Sequence, residues 1–406
     1  MNSSLLTIPA RRRRLSDEME DPDEGLSRFQ PAARLTMLRY LQDLHEAETP
    51  LDAVPPQYHT GRLPNSKSGD GKPRLLLMGQ RRSGKSSISS VVFHKLPPSE
   101  TLYIEATTRV KKESMHSFMD FQVWDFPGHV DYFDPAFDTE NIFEEIGALI
   151  WVIDAQDEYI DAIMRLHKTI LNLQQHYPAI NVEVFVHKVD GLSDDFRQDT
   201  FRDIIQRVQD DLSDAGFENA PVSFYQTSIY DHSIFEAFSK VIQKLIPQLP
   251  TLEALLNSLC LSCRIEKAYL FDVLSKIYIA TDTSPTDIGN YELCSDYIDV
   301  IVDVSEIYGW DRPEGEAGEE EYGESGNQDA ESLITMEKKG NNYLYLREIN
   351  KSVFQRPESA SMADPKQSRY LALICLMGED SSAEKKALID YNVGVFQEAL
   401  KQVFPR

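Results

Sequence analysis

Cysteine is scarce: there are four in 406 residues, and only Cys260 and Cys263 stand close together. No second CxxC pair and no spaced histidine pair completes a zinc tetrahedron, so the thiols are expected to be reduced packing residues. Apolar runs are short. No stretch of roughly eighteen apolar residues occurs, and residues 1–10 lack the basic start and long apolar core of a secretory signal. The carboxyl end, Val403-Phe404-Pro405-Arg406, offers no prenylation cysteine, and Asn2 stands where myristoylation requires glycine. The expectation is a cytoplasmic protein that reaches a membrane only through partners. Basic side chains are also in deficit, 41 against 66 acidic, for a formal charge of −25. That balance argues against nucleic acid as the main partner, because an extended grip on phosphate backbone needs positive charge.

The length exceeds the roughly 250 to 300 residues that one hydrophobic core supports, so two or three domains are expected. Residues 1–72 join the Arg11 to Arg14 run, an acidic stretch over 17–24 and a Pro/Ser/Gly-rich approach to Lys72, and most of this is expected to be disordered. Leu35, Leu38, Leu41 and Leu44 admit a short helix over 31–46, and the arginine run admits a nuclear-import or basophilic-kinase signal. Residues 73–250 alternate apolar strands (75–78, 121–124, 148–153, 182–186, 222–225) with helices (86–93, 159–175, 196–214, 232–246). That order predicts an α/β domain with a mostly parallel sheet covered on both faces. Residues 251–406 read as αββαβββα, a small antiparallel sheet with helices packed on it. An insert over about 312–331 interrupts this second domain; its Glu314 to Glu331 part holds eight acidic residues, four glycines and no basic one, the composition of a flexible surface loop.

The chemistry concentrates at strand ends. Gly79-Gln80-Arg81-Arg82-Ser83-Gly84-Lys85-Ser86 matches GxxxxGK[ST] directly between the first strand and a helix. Such a loop turns backbone N–H groups around phosphates, with Lys85 reaching the β and γ phosphates and Ser86 offering its hydroxyl to Mg²⁺. Forty residues past Lys85, a strand ends in Asp125-Phe126-Pro127-Gly128. Its carboxylate suits a water-mediated Mg²⁺ contact, and Gly128 can offer an N–H to a γ-phosphate. A further strand ends in His187-Lys188-Val189-Asp190. A carboxylate there accepts from both N1–H and the exocyclic amine of guanine, whereas adenine has no donor at N1, so GTP and GDP are favoured over ATP. The Lys188 stem can cover the base, and Thr227-Ser228-Ile229 can supply a backbone N–H to the guanine oxygen.

These motifs, in this order, resemble the small GTPases of the Ras superfamily, and the fuller wording around them resembles the RagC/RagD type of Rag GTPase. The wording includes Arg81 through Ile88, Trp124 through Gly128, His187 through Ser193, Ser228 through Ile234, Leu245 through Glu253 and Ile265 through Ala268. The resemblance covers roughly residues 73–309. It implies a P-loop small-GTPase domain followed by a roadblock-type α+β domain, and a heterodimer with a RagA/RagB-type subunit. It further implies signalling of amino-acid availability to the target-of-rapamycin complex at the lysosomal or vacuolar membrane, tethered by a Ragulator/Ego-type scaffold and regulated by a GTPase-activating protein. The nucleotide site it implies is Arg81, Arg82, Ser83, Gly84, Lys85, Ser86, Ser87, Thr107, Gly128, His187, Lys188, Asp190, Ser228 and Ile229. Mg²⁺ falls to Ser86, Thr107 and, through water, Asp125, with Thr101 and Thr108 as rivals to Thr107. Two positions depart from the Ras pattern. His187 stands where most relatives have asparagine, and His129 where glutamine orients the attacking water. With Lys85, His129 is the catalytic candidate. The departures at His129 and His187 leave a pseudo-GTPase scaffold as the alternative to a slow, activator-dependent GTP hydrolase.

Overall fold

A computed structural model describes residues 73–116, 120–128, 143, 146–273, 275–308, 331–336, 342–349, 371–378 and 386–403. The expected helix over 31–46, the arginine run, His129 and all of the acidic insert before Glu331 lie outside these residues.

The chain begins its first sheet with β1 (Arg74–Gly79), whose Leu75 to Met78 are wholly buried. This continuous apolar run, in place of alternation, reflects parallel neighbours on both sides and helices on both faces. β3 (Asp120–Asp125), β4 (Ile146–Asp154), β5 (Asn181–His187) and β6 (Val222–Thr227) are parallel to β1. The sheet order is β2-β3-β1-β4-β5-β6. β2 (Lys111–His116) is antiparallel to β3 and forms one edge. Its sequence, KKESMH, lacks the apolar alternation that predicts a strand, and lysines on an edge strand discourage pairing with a further strand.

On one face, α2 (Ile160–His176) and α3 (Asp194–Asp214) bury Ile163, Leu166, Ile170, Ile204 and Val208. On the other lie α1 (Lys85–His94) and α4 (Ser233–Gln243), joined through Phe238, whose ring sits 5.3 Å from both Phe93 and Phe185.

The second sheet is antiparallel, ordered β8-β7-β11-β10-β9. Its strands are β7 (Lys267–Asp272), β8 (Ile277–Thr281), β9 (Glu331–Met336), β10 (Asn342–Glu348) and β11 (Leu371–Met377). With α5 (Leu249–Cys263), α6 (Ile288–Tyr308) and α7 (Lys386–Val403), the order among the described residues is αββαβββα, the order read from the pattern. Alternation along β7 and β11 sends Tyr269, Phe271, Ala372 and Ile374 toward Tyr291, Cys294 and Ile298 of α6. The opposite face meets α5 and α7, where Asn392 Nδ2 donates to Cys263 Sγ at 3.3 Å and Tyr345 Oη to Asp390 at 3.1 Å. Cys263, Cys294 and Cys375 are buried packing residues, and all four thiols are free.

α4 serves both sheets. Phe235 packs against the Tyr269 cluster, and the fully buried Ser239 Oγ accepts the N–H of Tyr278 on β8 at 3.1 Å while donating to Phe235 O at 2.8 Å.

Candidate functional site

The C-terminal ends of β1, β3, β4, β5 and β6 converge on a cavity of about 550 Å³. In parallel α/β sheets this is where the loops open and ligands bind. β1 delivers the phosphate loop. Gly84, at φ 102°, is the left-handed hinge into α1, and a Cβ there would lie 2.6 Å from Cδ2 of His187. Glycine is therefore needed twice over, for backbone conformation and for room. Lys85 is 5% exposed, and its Nζ donates to Gly79 O at 3.1 Å, Gln80 O at 2.7 Å and Ser83 Oγ at 3.5 Å. Burial pulls its pKa down to about 8, against the opposing pull of Asp125. An ammonium so poorly hydrated is poised to gain from an anionic ligand.

Three oxygens cluster beside it. Ser86 Oγ lies 2.6 Å from Thr107 Oγ1 and donates to Asp125 Oδ2 at 2.5 Å, and Thr107 Oγ1 donates to the same carboxylate oxygen at 3.2 Å. Burial holds the Asp125 carboxyl above its usual range, opposed by Ser86, Lys85 and Thr107. Its buried second oxygen, Oδ1, has no hydrogen-bond partner. Hard oxygen donors, one carboxylate and an unsatisfied acceptor fit a Mg²⁺ ion that would complete its shell with phosphate and water. The geometry also separates the three threonines. Thr101 Oγ1 is spent on Pro98 O at 2.7 Å within a 3₁₀ turn (Pro98–Tyr103), Thr108 is exposed, and Thr107 meets the cluster. Gly128 closes the phosphate end: a Cβ there would lie 2.2 Å from Arg81 N.

β5 and β6 build the opposite wall. His187 is 1% exposed, its Nδ1 lies 3.0 Å from Thr227 Oγ1, and burial, followed by the nearby Lys188 charge, pushes its pKa down to about 4. A neutral imidazole thus wedges the base loop against Gly84 by contact, the task an asparagine amide would perform by hydrogen bonding. Lys188, at φ 64°, spans to the phosphate loop through Arg82 O at 2.8 Å. Ser228 Oγ donates to Asp190 Oδ1 at 2.6 Å, which orients the exposed carboxylate.

Of the residues singled out in the sequence, Arg81, Arg82, Gly84, Lys85, Ser86, Ser87, Thr107, Gly128, His187, Lys188, Asp190 and Ile229 line the cavity. Ser83, Asp125 and Ser228 are not among its lining residues, and Asp125 meets the cavity's Ser86 and Thr107 from behind. Ser83 is buried and donates to Gln80 O at 2.9 Å, shaping the loop from behind, and the Ser228 N–H is taken by Ser233 Oγ at 2.9 Å. Ser228 thus supports Asp190, and Ile229 is the residue of its loop on the wall. His129 lies outside the described residues. Sequence reasoning missed Gln156, Leu102, Ile104 and Tyr230, which also line the cavity. No spacing signal marks them.

Residues 74–298, just over half of the chain, match the Gtr1/RagA G protein conserved region. The chain is 54% identical to GTP-binding protein gtr2 of Schizosaccharomyces pombe over 82% of its length and 98% of that protein. It is likewise 54% identical to human Ras-related GTP-binding protein C, over 82% of this chain and 77% of the relative. Against GTP-binding protein GTR1 of Saccharomyces cerevisiae the identity is 26%, over 58% of this chain and 77% of that one.

Proposed function

This chain belongs to the Rag family of G proteins, in its RagC/RagD and Gtr2 branch, and from that premise we propose that it is the GTP/GDP-binding switch subunit of a Rag-type heterodimer. The observation that carries the reading is the meeting, in one cavity, of a phosphate loop, an oxygen cluster and a guanine-reading wall. GTP or GDP would lay its phosphates along residues 81–86, bringing an anionic partner to Lys85, and its base against Lys188 and Asp190. Ser86, Thr107 and Asp125 would hold Mg²⁺, which when bound neutralises charge on the transferring phosphoryl group. Thr107 and Gly128 belong to the segments that a γ-phosphate would order, which is the physical basis of a switch. Hydrolysis would be slow and dependent on an activating protein, since His129 replaces glutamine at the water-orienting position.

The heterodimer partner is a Gtr1/RagA-type subunit. The second sheet, with α6 on one face and α5 and α7 on the other, has the make-up of a roadblock-type pairing module. Among the described residues β9 is an edge strand, with Leu333 and Ile334 each 37% exposed, and α6 shows Val300 and Val304 to solvent. Among the described residues no helix is long and apolar enough to cross a membrane. A Ragulator/Ego-type scaffold would hold the pair at the vacuolar or lysosomal surface, where its nucleotide state reports amino-acid availability to the target-of-rapamycin complex.

GDP binding by the purified heterodimer tests this. Micromolar or tighter binding, lost in Lys85→Ala and Ser86→Asn, is expected, and a wild type that ignores GDP would refute it. Single-turnover phosphate release with an activating protein separates the hydrolase from a pseudo-GTPase scaffold.

A further inference from the structure

We propose that Asp154 and Gln156, at the exit of β4, are positioning residues for the guanine end of the site; the proposal rests on the nucleotide reading above. Neither belongs to the motifs that identify the cavity. Asp154 is in register with His187 across the β4–β5 ladder, and Ala155 N–H donates to His187 O at 2.8 Å, so the two strand exits are tied together. From there Asp154 Oδ2 reaches Lys188 Nζ at 2.5 Å, and the same ammonium donates to Arg82 O at 2.8 Å. The Asp154 side chain is 16% exposed and that of Lys188 34%, so the contact is a charge-assisted bond in a partly dehydrated setting.

Gln156 secures the backbone that the same lysine sits on. Its Nε2 donates to Lys188 O at 2.7 Å, and its own N–H donates to Asp154 Oδ1 at 2.9 Å. Gly191 comes so near that a Cβ would lie 2.1 Å from Gln156 Nε2. The amide therefore braces both ends of the turn from Lys188 to Gly191 that presents Asp190. Lys188 holds a left-handed backbone, which side chain-bearing residues disfavour unless their surroundings impose it. Asp154 and Gln156 are those surroundings. One fixes the ammonium, which would hold the alkyl stem in place to cover a base, and the other fixes the carbonyl.

The test is dissociation of fluorescent GDP from the full-length protein. Asp154→Asn and Gln156→Ala are each expected to release GDP about tenfold faster. Asp154→Glu should recover part of the loss, and the unfolding midpoint of the nucleotide-free protein should stay near that of wild type. In a Lys188→Met background, Asp154→Asn should add less than about a twofold change, because its effect runs through that ammonium. Wild-type release rates in both single variants would overturn the proposal. So would an undiminished Asp154→Asn effect in the Lys188→Met background, or a fall in nucleotide-free stability that accounts for the faster release. A wild type that fails to bind GDP would instead bring down the nucleotide reading, a different and separately visible result.

Discussion

Lys85 makes nucleotide affinity dependent on pH in a calculable way. Burial lowers its pKa from 10.5 to about 8 in the ligand-free cavity. Nucleotide phosphates would return the ammonium toward its ordinary value or above, so binding above pH 8 must be accompanied by proton uptake. With the free site titrating near 8 and the bound site charged throughout, affinity should fall about sevenfold between roughly pH 7 and pH 8.8, or about 1.1 kcal/mol. Proton uptake should rise from about 0.1 to about 0.9 per site over the same range. His187, held down to about 4, stays neutral throughout and contributes nothing. Keeping below pH 9 avoids deprotonating guanine itself. Isothermal calorimetry of GDP binding in buffers of differing ionisation enthalpy reads both quantities, and Lys85→Met should bind weakly with a flat profile. The same depressed pKa means that nucleotide-free stability gains from this group as pH rises from about 8 toward 10.5, because only the unfolded chain then keeps the proton. Equal wild-type affinity at both pH values without proton uptake would refute the reasoning.

Gly84→Ala should cost about 2 kcal/mol in urea unfolding and weaken GDP binding at least tenfold, because the new methyl meets His187 at 2.6 Å on a left-handed backbone. Lys244→Met should cost about 2 kcal/mol in chemical denaturation. The fully buried Glu183 would lose its contacts with that ammonium at 2.8 and 2.9 Å and keep only the Tyr225 hydroxyl at 3.0 Å, and adding Glu183→Gln should recover part of the loss. Ser239→Ala strands the Tyr278 N–H and should cost about 1 to 2 kcal/mol, read by the same method.

Much of the first sheet was legible because parallel strands covered on both faces are written as unbroken apolar runs, as in Leu75 to Met78 and Leu149 to Ile153. The motif residues were legible because they sit at the ends of those runs. β2 was not, since an edge strand of alternating charge and polarity carries no period that sets it apart from a loop. That Thr107, and not Thr101 or Thr108, meets Ser86 and Asp125 depends on the path of the chain between α1 and β2, which no local pattern encodes. Asp154 and Gln156 were hidden for a related reason: their partners lie 34 and 32 residues away, and nothing at either end announces the pairing. Which amide of the Thr227 to Ile229 loop is free to donate was likewise illegible, because the capture of the Ser228 N–H by a hydroxyl five residues on leaves no mark in the sequence.

Because α4 gives Phe238 to one core and Phe235 and Ser239 to the other, the two halves of this protein cannot drift apart in evolution as independent cassettes. A larger side chain at 239 would demand a compensating retreat at Tyr278, and grafting either half onto a foreign neighbour would leave one flank of that helix wet. Its first turn follows directly on the loop of Ser228 and Ile229, so the same short helix that touches the second sheet through Phe235 and Ser239 begins beside the cavity wall.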